Sequence, residues 1–124
     1  MCLNAMAKIL IVDSRPEIRK SLCATLAGDG GFATCSEAET TERALELSGQ
    51  FLPDLVIFDL ASIAKDHISF VKRLQMIVPK VAIFMLTDKY DSAAEKRAIA
   101  MGITAVFSRF EEPACILANA KAIL

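Results

Sequence analysis

The sequence contains no tryptophan, one tyrosine and a single histidine, His67. Its net charge of −1 leaves no basic excess to hold a nucleic acid by phosphate contacts. Its four cysteines, Cys2, Cys23, Cys35 and Cys115, form no CxxC pair and match no zinc-ligand spacing. They read as reduced thiols, the three internal ones serving as small buried apolar residues. No run approaches the ~18 apolar residues of a membrane span, and the opening MCLNAMAK lacks the apolar stretch of a signal peptide. These absences predict a cytoplasmic chain with no membrane contact and no direct nucleic-acid binding.

What is present is apolar and evenly distributed. Hydrophobic residues make up 54% of the 124 positions and charged residues 23%, enough for one self-sufficient core. A single domain over 1–124 is expected, with 1–7 as an N-terminal tail. Solid runs at Ile9–Val12, Leu55–Phe58, Val81–Leu86 and Ala105–Phe107, and a weaker one at Phe32–Cys35, read as strands covered on both faces. Periodic stretches separate them. Residues 16–27 open on Pro16 and place Ile18, Leu22 and Leu26 on one stripe. Residues 39–49 carry Ala44, Leu45 and Leu47, with Gly49 as the expected stop. Residues 66–77 group Phe70, Val71, Leu74 and Ile77 before Pro79; residues 91–101 end at Gly102; residues 112–124 carry Ile116, Leu117, Ala120 and Ile123. Five βα units in succession predict an α/β fold with a parallel sheet, helices on both faces and right-handed crossovers.

The strands end on groups that a core does not need. Ile9–Val12 runs into Asp13, Leu55–Phe58 into Asp59, Val81–Leu86 into Thr87, and the last strand into Ser108 and Arg109. In an open parallel sheet these C-terminal ends share one edge, where ligands bind. Any one of them could simply cap the next helix. Two carboxylates, a hydroxyl and a guanidinium at one edge favour a site. Charge is also uneven: residues 1–62 hold 5 Lys/Arg against 9 Asp/Glu, and residues 63–124 hold 9 against 6, a split able to steer a charged partner.

KILIVDSRPEIR, LPDLVIFDL, AIFMLTD and MGITAVFSRF, in that order, closely resemble the receiver domain of bacterial two-component response regulators. The resemblance runs from about Lys8 to the end. It implies a flavodoxin-like (βα)5 fold of strand order 2-1-3-4-5, and a sensor histidine kinase or phosphotransfer protein as the donor of a phosphoryl group to Asp59. It further implies Mg²⁺ held by Asp13, Asp59 and the backbone carbonyl of Ala61, with Thr87 and Arg109 on the phosphoryl oxygens. A carboxylate suits this role because it is a nucleophile without a general base. The charge on the transferred group then needs cations and an aimed donor.

Several positions depart from the pattern. Ser14 stands where the family has a second acid, which removes a charged ligand and predicts Mg²⁺ binding that is weak or absent. Arg109 replaces a lysine, and its planar fork does not mimic an ammonium. Val106 occupies the place of the switch aromatic, Phe110 that of a proline, and Asp66 and His67 fall where the family has other residues; His67 is given no role. The first expectation is a phosphorylatable receiver with a weakened metal site. The alternative is a pseudo-receiver, a protein-interaction module that works without phosphorylation. An aspartyl phosphatase would want a second acid where Ala61 stands, and a flavin or dinucleotide protein would want a phosphate loop where DSRPEIR stands, so no enzyme is expected. The chain fits a stand-alone receiver or a piece of a longer regulator with an output domain. The mixed charges of Lys89, Asp91, Glu95, Lys96, Arg97, Glu111, Glu112 and Lys121 suit a homodimer, although exposed pairs contribute only ~0–1 kcal/mol each.

Overall fold

The solid apolar runs become the strands of one parallel sheet, and the periodic stretches become the helices that cover it. The computed structural model describes residues 6–63 and 67–124. The strands are β1 (Ala7–Val12), β2 (Ala33–Ala38), β3 (Leu55–Asp59), β4 (Ala82–Thr87) and β5 (Ala105–Ser108). They lie in the order β2-β1-β3-β4-β5, the flavodoxin-like arrangement expected from the resemblance. The helices are α1 (Pro16–Ala27), α2 (Thr41–Phe51), α3 (Leu60–Ile63), α4 (His67–Ile77), α5 (Ser92–Ala100) and α6 (Pro113–Ile123).

Because successive side chains on a strand point to opposite faces, each central strand feeds two cores. Ile9, Ile11, Leu55, Ile57, Phe84 and Leu86 pack with Leu22 and Leu26 of α1 and Ile116 and Ala120 of α6. Leu10, Val12, Val56, Phe58, Ile83 and Met85 pack with Ala44 and Leu45 of α2, Phe70, Val71 and Leu74 of α4, and Ala98 of α5. Phe58 meets Phe70 edge-on at 5.8 Å between ring centroids, which fastens α4 to the sheet. No helix among the described residues is long and apolar enough to cross a membrane.

Several expectations need correction. The helix expected over 39–49 begins and ends two residues later, because the Thr40 hydroxyl accepts from the Arg43 N–H at 3.1 Å and so caps it. Gly49 is therefore inside α2 and does not stop it; the chain leaves at Leu52, in the left-handed region with φ 52°, just before Pro53. Ile77 and Ile123 are exposed, since each lies in the last turn of its helix, beyond the edge of the sheet. Cys23, Cys35 and Cys115 are half-buried rather than core residues. The short helix α3 was not foreseen, and Asp66 lies outside the described residues. At Gly102, as expected, the chain turns after α5: φ is +98°, a conformation that calls for glycine.

Candidate functional site at the strand ends

Pairing of Val12 with Phe58 carries the residues that follow them, Asp13 and Asp59, to the same edge. Each residue is only 1% exposed. Two carboxylates buried side by side repel and are poorly solvated, so they persist as anions only beside a cation. Arg15 supplies it. Its Nε donates to Asp13 Oδ1 at 3.0 Å and its Nη2 to Asp13 Oδ2 at 2.8 Å, a two-pronged fork. The same Nη2 reaches Asp59 Oδ2, also at 2.8 Å. The local chain makes this possible: the Arg15 N–H donates to Asp13 Oδ1 at 2.9 Å, and that turn folds the arginine back over the strand end before Pro16 starts α1.

Neighbouring groups complete the arrangement. The Ser62 hydroxyl donates to Asp13 Oδ1 at 3.1 Å, and Arg19 Nη1 donates to the Asp13 carbonyl at 2.7 Å. The Ala61 N–H donates to Asp59 Oδ1 at 2.9 Å. Arg109 forms an ion pair with Asp59, its Nε 3.3 Å from Oδ2. Thr87 is buried at the end of β4, with its hydroxyl accepting from the Lys89 N–H at 3.3 Å. Ser14 is exposed, and its hydroxyl donates to Ser62 Oγ at 3.3 Å, so it reaches Asp13 only through Ser62. Burial pushes the Asp13 carboxyl up, but hydrogen bonds from Arg15, the Arg15 charge and Ser62 outweigh it and hold Asp13 below the ordinary value. The arrangement presents a buried nucleophilic carboxylate with two guanidinium groups against one of its oxygens.

Residues 9–120 match the family model described as the response regulator receiver domain. The chain belongs to the receiver family. The transcriptional regulatory protein YhcZ of Bacillus subtilis is 30% identical over 106 residues, 86% of this chain and 50% of that protein. The transcriptional activator protein ExaE of Pseudomonas putida is 26% identical over 116 residues, 94% of this chain and 54% of that protein. This receiver thus spans about half the length of the curated relatives it matches. The crystal structure of chemotaxis protein CheY4 of Vibrio cholerae superposes with a TM-score of 0.85 at 26% identity, covering 97% of this chain and all of that one. A response regulator from Thermotoga maritima shares the fold at 16% identity, with a TM-score of 0.85, over 95% of this chain and 97% of that one. Receivers of this family operate in two-component signalling.

The metal that the family implies finds a poor donor set in this receiver. Mg²⁺ wants several charged oxygens with room for its waters. Here Ser14 offers a neutral hydroxyl in place of the second acid, engaged with Ser62, and both carboxylates already hold one guanidinium nitrogen at 2.8 Å. Among the described residues no three His, Cys, Asp or Glu side chains are grouped to hold a metal ion. Val106, at the switch-aromatic position, is 5% exposed and packed into the core with Met85 and Ile103, without a ring to exchange between inside and outside.

Of the residues singled out from the sequence, Asp13, Asp59 and Arg109 come together, and Thr87 ends the neighbouring strand. Sequence reasoning missed Arg15 and Ser62. The available signal for Arg15 was a cation two places after Asp13, beside Ser14 at the position without its acid.

Proposed function

We propose that this receiver accepts a phosphoryl group on Asp59 from a histidine kinase or phosphotransfer protein and relays the signal to an output module of the same or another chain. The observation that carries this reading is the environment of Asp59 Oδ2, a buried carboxylate oxygen 2.8 Å from Arg15 and 3.3 Å from Arg109. In the transfer, a carboxylate oxygen attacks phosphorus, and the bond from phosphorus to the donor imidazole breaks, leaving its electron pair on that nitrogen. The transferred group spreads negative charge over its equatorial oxygens, and preorganised guanidinium groups stabilise that charge. Arg109 meets Asp59 through one nitrogen, its Nε, and can swing onto the incoming oxygens; Thr87 ends the neighbouring strand, where a hydroxyl donor is useful.

One observation favours the second reading, a phosphorylation-independent interaction module. Both oxygens of Asp59 are already engaged, Oδ1 by the Ala61 N–H and Oδ2 by two arginines, so attack must compete with either the backbone N–H or an arginine contact. Intact mass after incubation with acetyl phosphate, with Mg²⁺ or with EDTA, separates the two. One added phosphoryl group on the wild type, absent from Asp59→Asn, is the expected result. An unmodified wild type under both conditions would leave the interaction module as the reading.

A further inference from the structure

We infer that the Arg15 guanidinium is the built-in cation of this site: it occupies the position between Asp13 and Asp59 that a divalent ion would need, and the wild-type receiver therefore takes up no Mg²⁺ there. This does not rest on Asp59 being phosphorylated, only on how the carboxylates are held.

Three observations converge. First, Arg15 Nη2 lies 2.8 Å from Asp13 Oδ2 and 2.8 Å from Asp59 Oδ2, so one donor atom bridges an oxygen of each carboxylate that would have to hold a metal. An ion can enter only if Arg15 leaves both. Second, Arg15 is bound beyond that bridge, by the fork to Asp13 and by its own backbone N–H. Leaving costs several charge-assisted hydrogen bonds, which are roughly twice as strong as neutral ones. Third, the losses on the metal side are matched to the gain. The position where a second carboxylate would stand carries Ser14, exposed and bonded to Ser62. With Arg15 in place, the buried charges of Asp13 and Asp59 face two guanidinium groups, Arg15 and Arg109, and a divalent ion would add positive charge that nothing local offsets. A planar guanidinium is suited to this bridging role because its donors are fixed in a fork that matches carboxylate oxygens.

Arg15 is here a positioning residue: it holds the Asp59 carboxylate and fixes the charge state of the rim. The test uses the full chain and two readouts that need no phosphoryl transfer. The first is the melting temperature with and without MgCl₂. The second is broadening of backbone amide NMR signals by Mn²⁺, a paramagnetic stand-in for Mg²⁺. The wild type is expected to keep its melting temperature on adding Mg²⁺ and to show no Mn²⁺ broadening confined to residues 13, 15 and 59–61. Arg15→Gln frees both carboxylates, and its melting temperature should rise by roughly 4–8 °C once Mg²⁺ is about tenfold above its dissociation constant. Arg15→Lys keeps a charge to support folding but loses the fork, so it should gain a smaller rise of the same sign. A wild type stabilised by Mg²⁺ as much as either variant overturns the inference. So does a wild type that shows localised Mn²⁺ broadening, or a folded pair of variants that both ignore Mg²⁺.

Discussion

On the β1 side of the rim, Asp13 and Arg15 meet through a fork, and Arg15 extends to Asp59 with a second 2.8 Å contact. On the β4–β5 side, Arg109 touches Asp59 through one nitrogen at 3.3 Å, and the Thr87 hydroxyl is engaged only with a backbone N–H. The first half is closed upon itself, with two carboxylates, a guanidinium and the Ser62 hydroxyl satisfying one another. The second half retains the kind of group it needs for an incoming anion, a movable cation and a buried hydroxyl, in altered shape. Loss of an acid at Ser14 changed the charge of the first half, and a cation only one residue away answers it. Exchange of lysine for Arg109 changed the geometry of the second half and left its charge alone. Charge, more than shape, decides which half of such a site is reorganised.

The largest expected effect is on the closed half. Arg15→Ala leaves Asp13 and Asp59 buried with Arg109 as their remaining charged partner, and should cost about 3 kcal/mol in urea unfolding. This is the lower end of the range for a broken buried pair, because the Arg15 side chain is 33% exposed and water replaces part of what is lost. Adding Asp13→Asn should recover some of the loss, since the orphaned charge is then gone; a double variant no more stable than Arg15→Ala would contradict the closed-half picture.

A smaller effect is expected with pH. Asp13 is held below its ordinary 3.8, so in the wild type it contributes stability above that value, and the contribution is lost as pH falls through the lower folded-state pKa. Without the Arg15 side chain, only the backbone N–H at position 15 and the Ser62 hydroxyl still lower Asp13 against burial, so its carboxylate contributes less stability at neutral pH. The stability gap between wild type and Arg15→Ala should therefore narrow from neutral pH to about pH 4; a gap of constant size would mean Asp13 is not what Arg15 holds. The smallest effect belongs to the open half: Arg109→Lys preserves the charge and should change stability by less than about 1 kcal/mol. A loss as large as that of Arg15→Ala would erase the distinction between the halves.

How far the sequence could be read follows from which signals are local. Ile9–Val12 and Leu55–Phe58 announce strands buried on both faces, so a parallel sheet and its shared rim follow from the pattern; the order of the strands comes from the resemblance to the receiver family. Asp13, Asp59 and Arg109 were visible because each directly follows or ends such a run. The shift of α2 turned on Thr40 capping the helix, a matter of one hydrogen bond. Arg15 was hidden for a different reason. Its role depends on a backbone turn at Asp13 that folds the side chain back onto Asp13 and Asp59, which a pattern of apolar spacing does not encode.

The bridge between Asp13 and Asp59 also bears on the order in which the molecule assembles. Arg15 finds Asp13 two residues away as soon as the turn forms, but Asp59 is 44 residues further on and arrives only when β3 has docked against β1. Until then the closing contact is missing and the chain must pay for a long loop before the second carboxylate rewards it. The rim is thus a late product of folding, completed by the crossover through α2, and its ion pairs act chiefly to slow the departure of β3 once it has arrived.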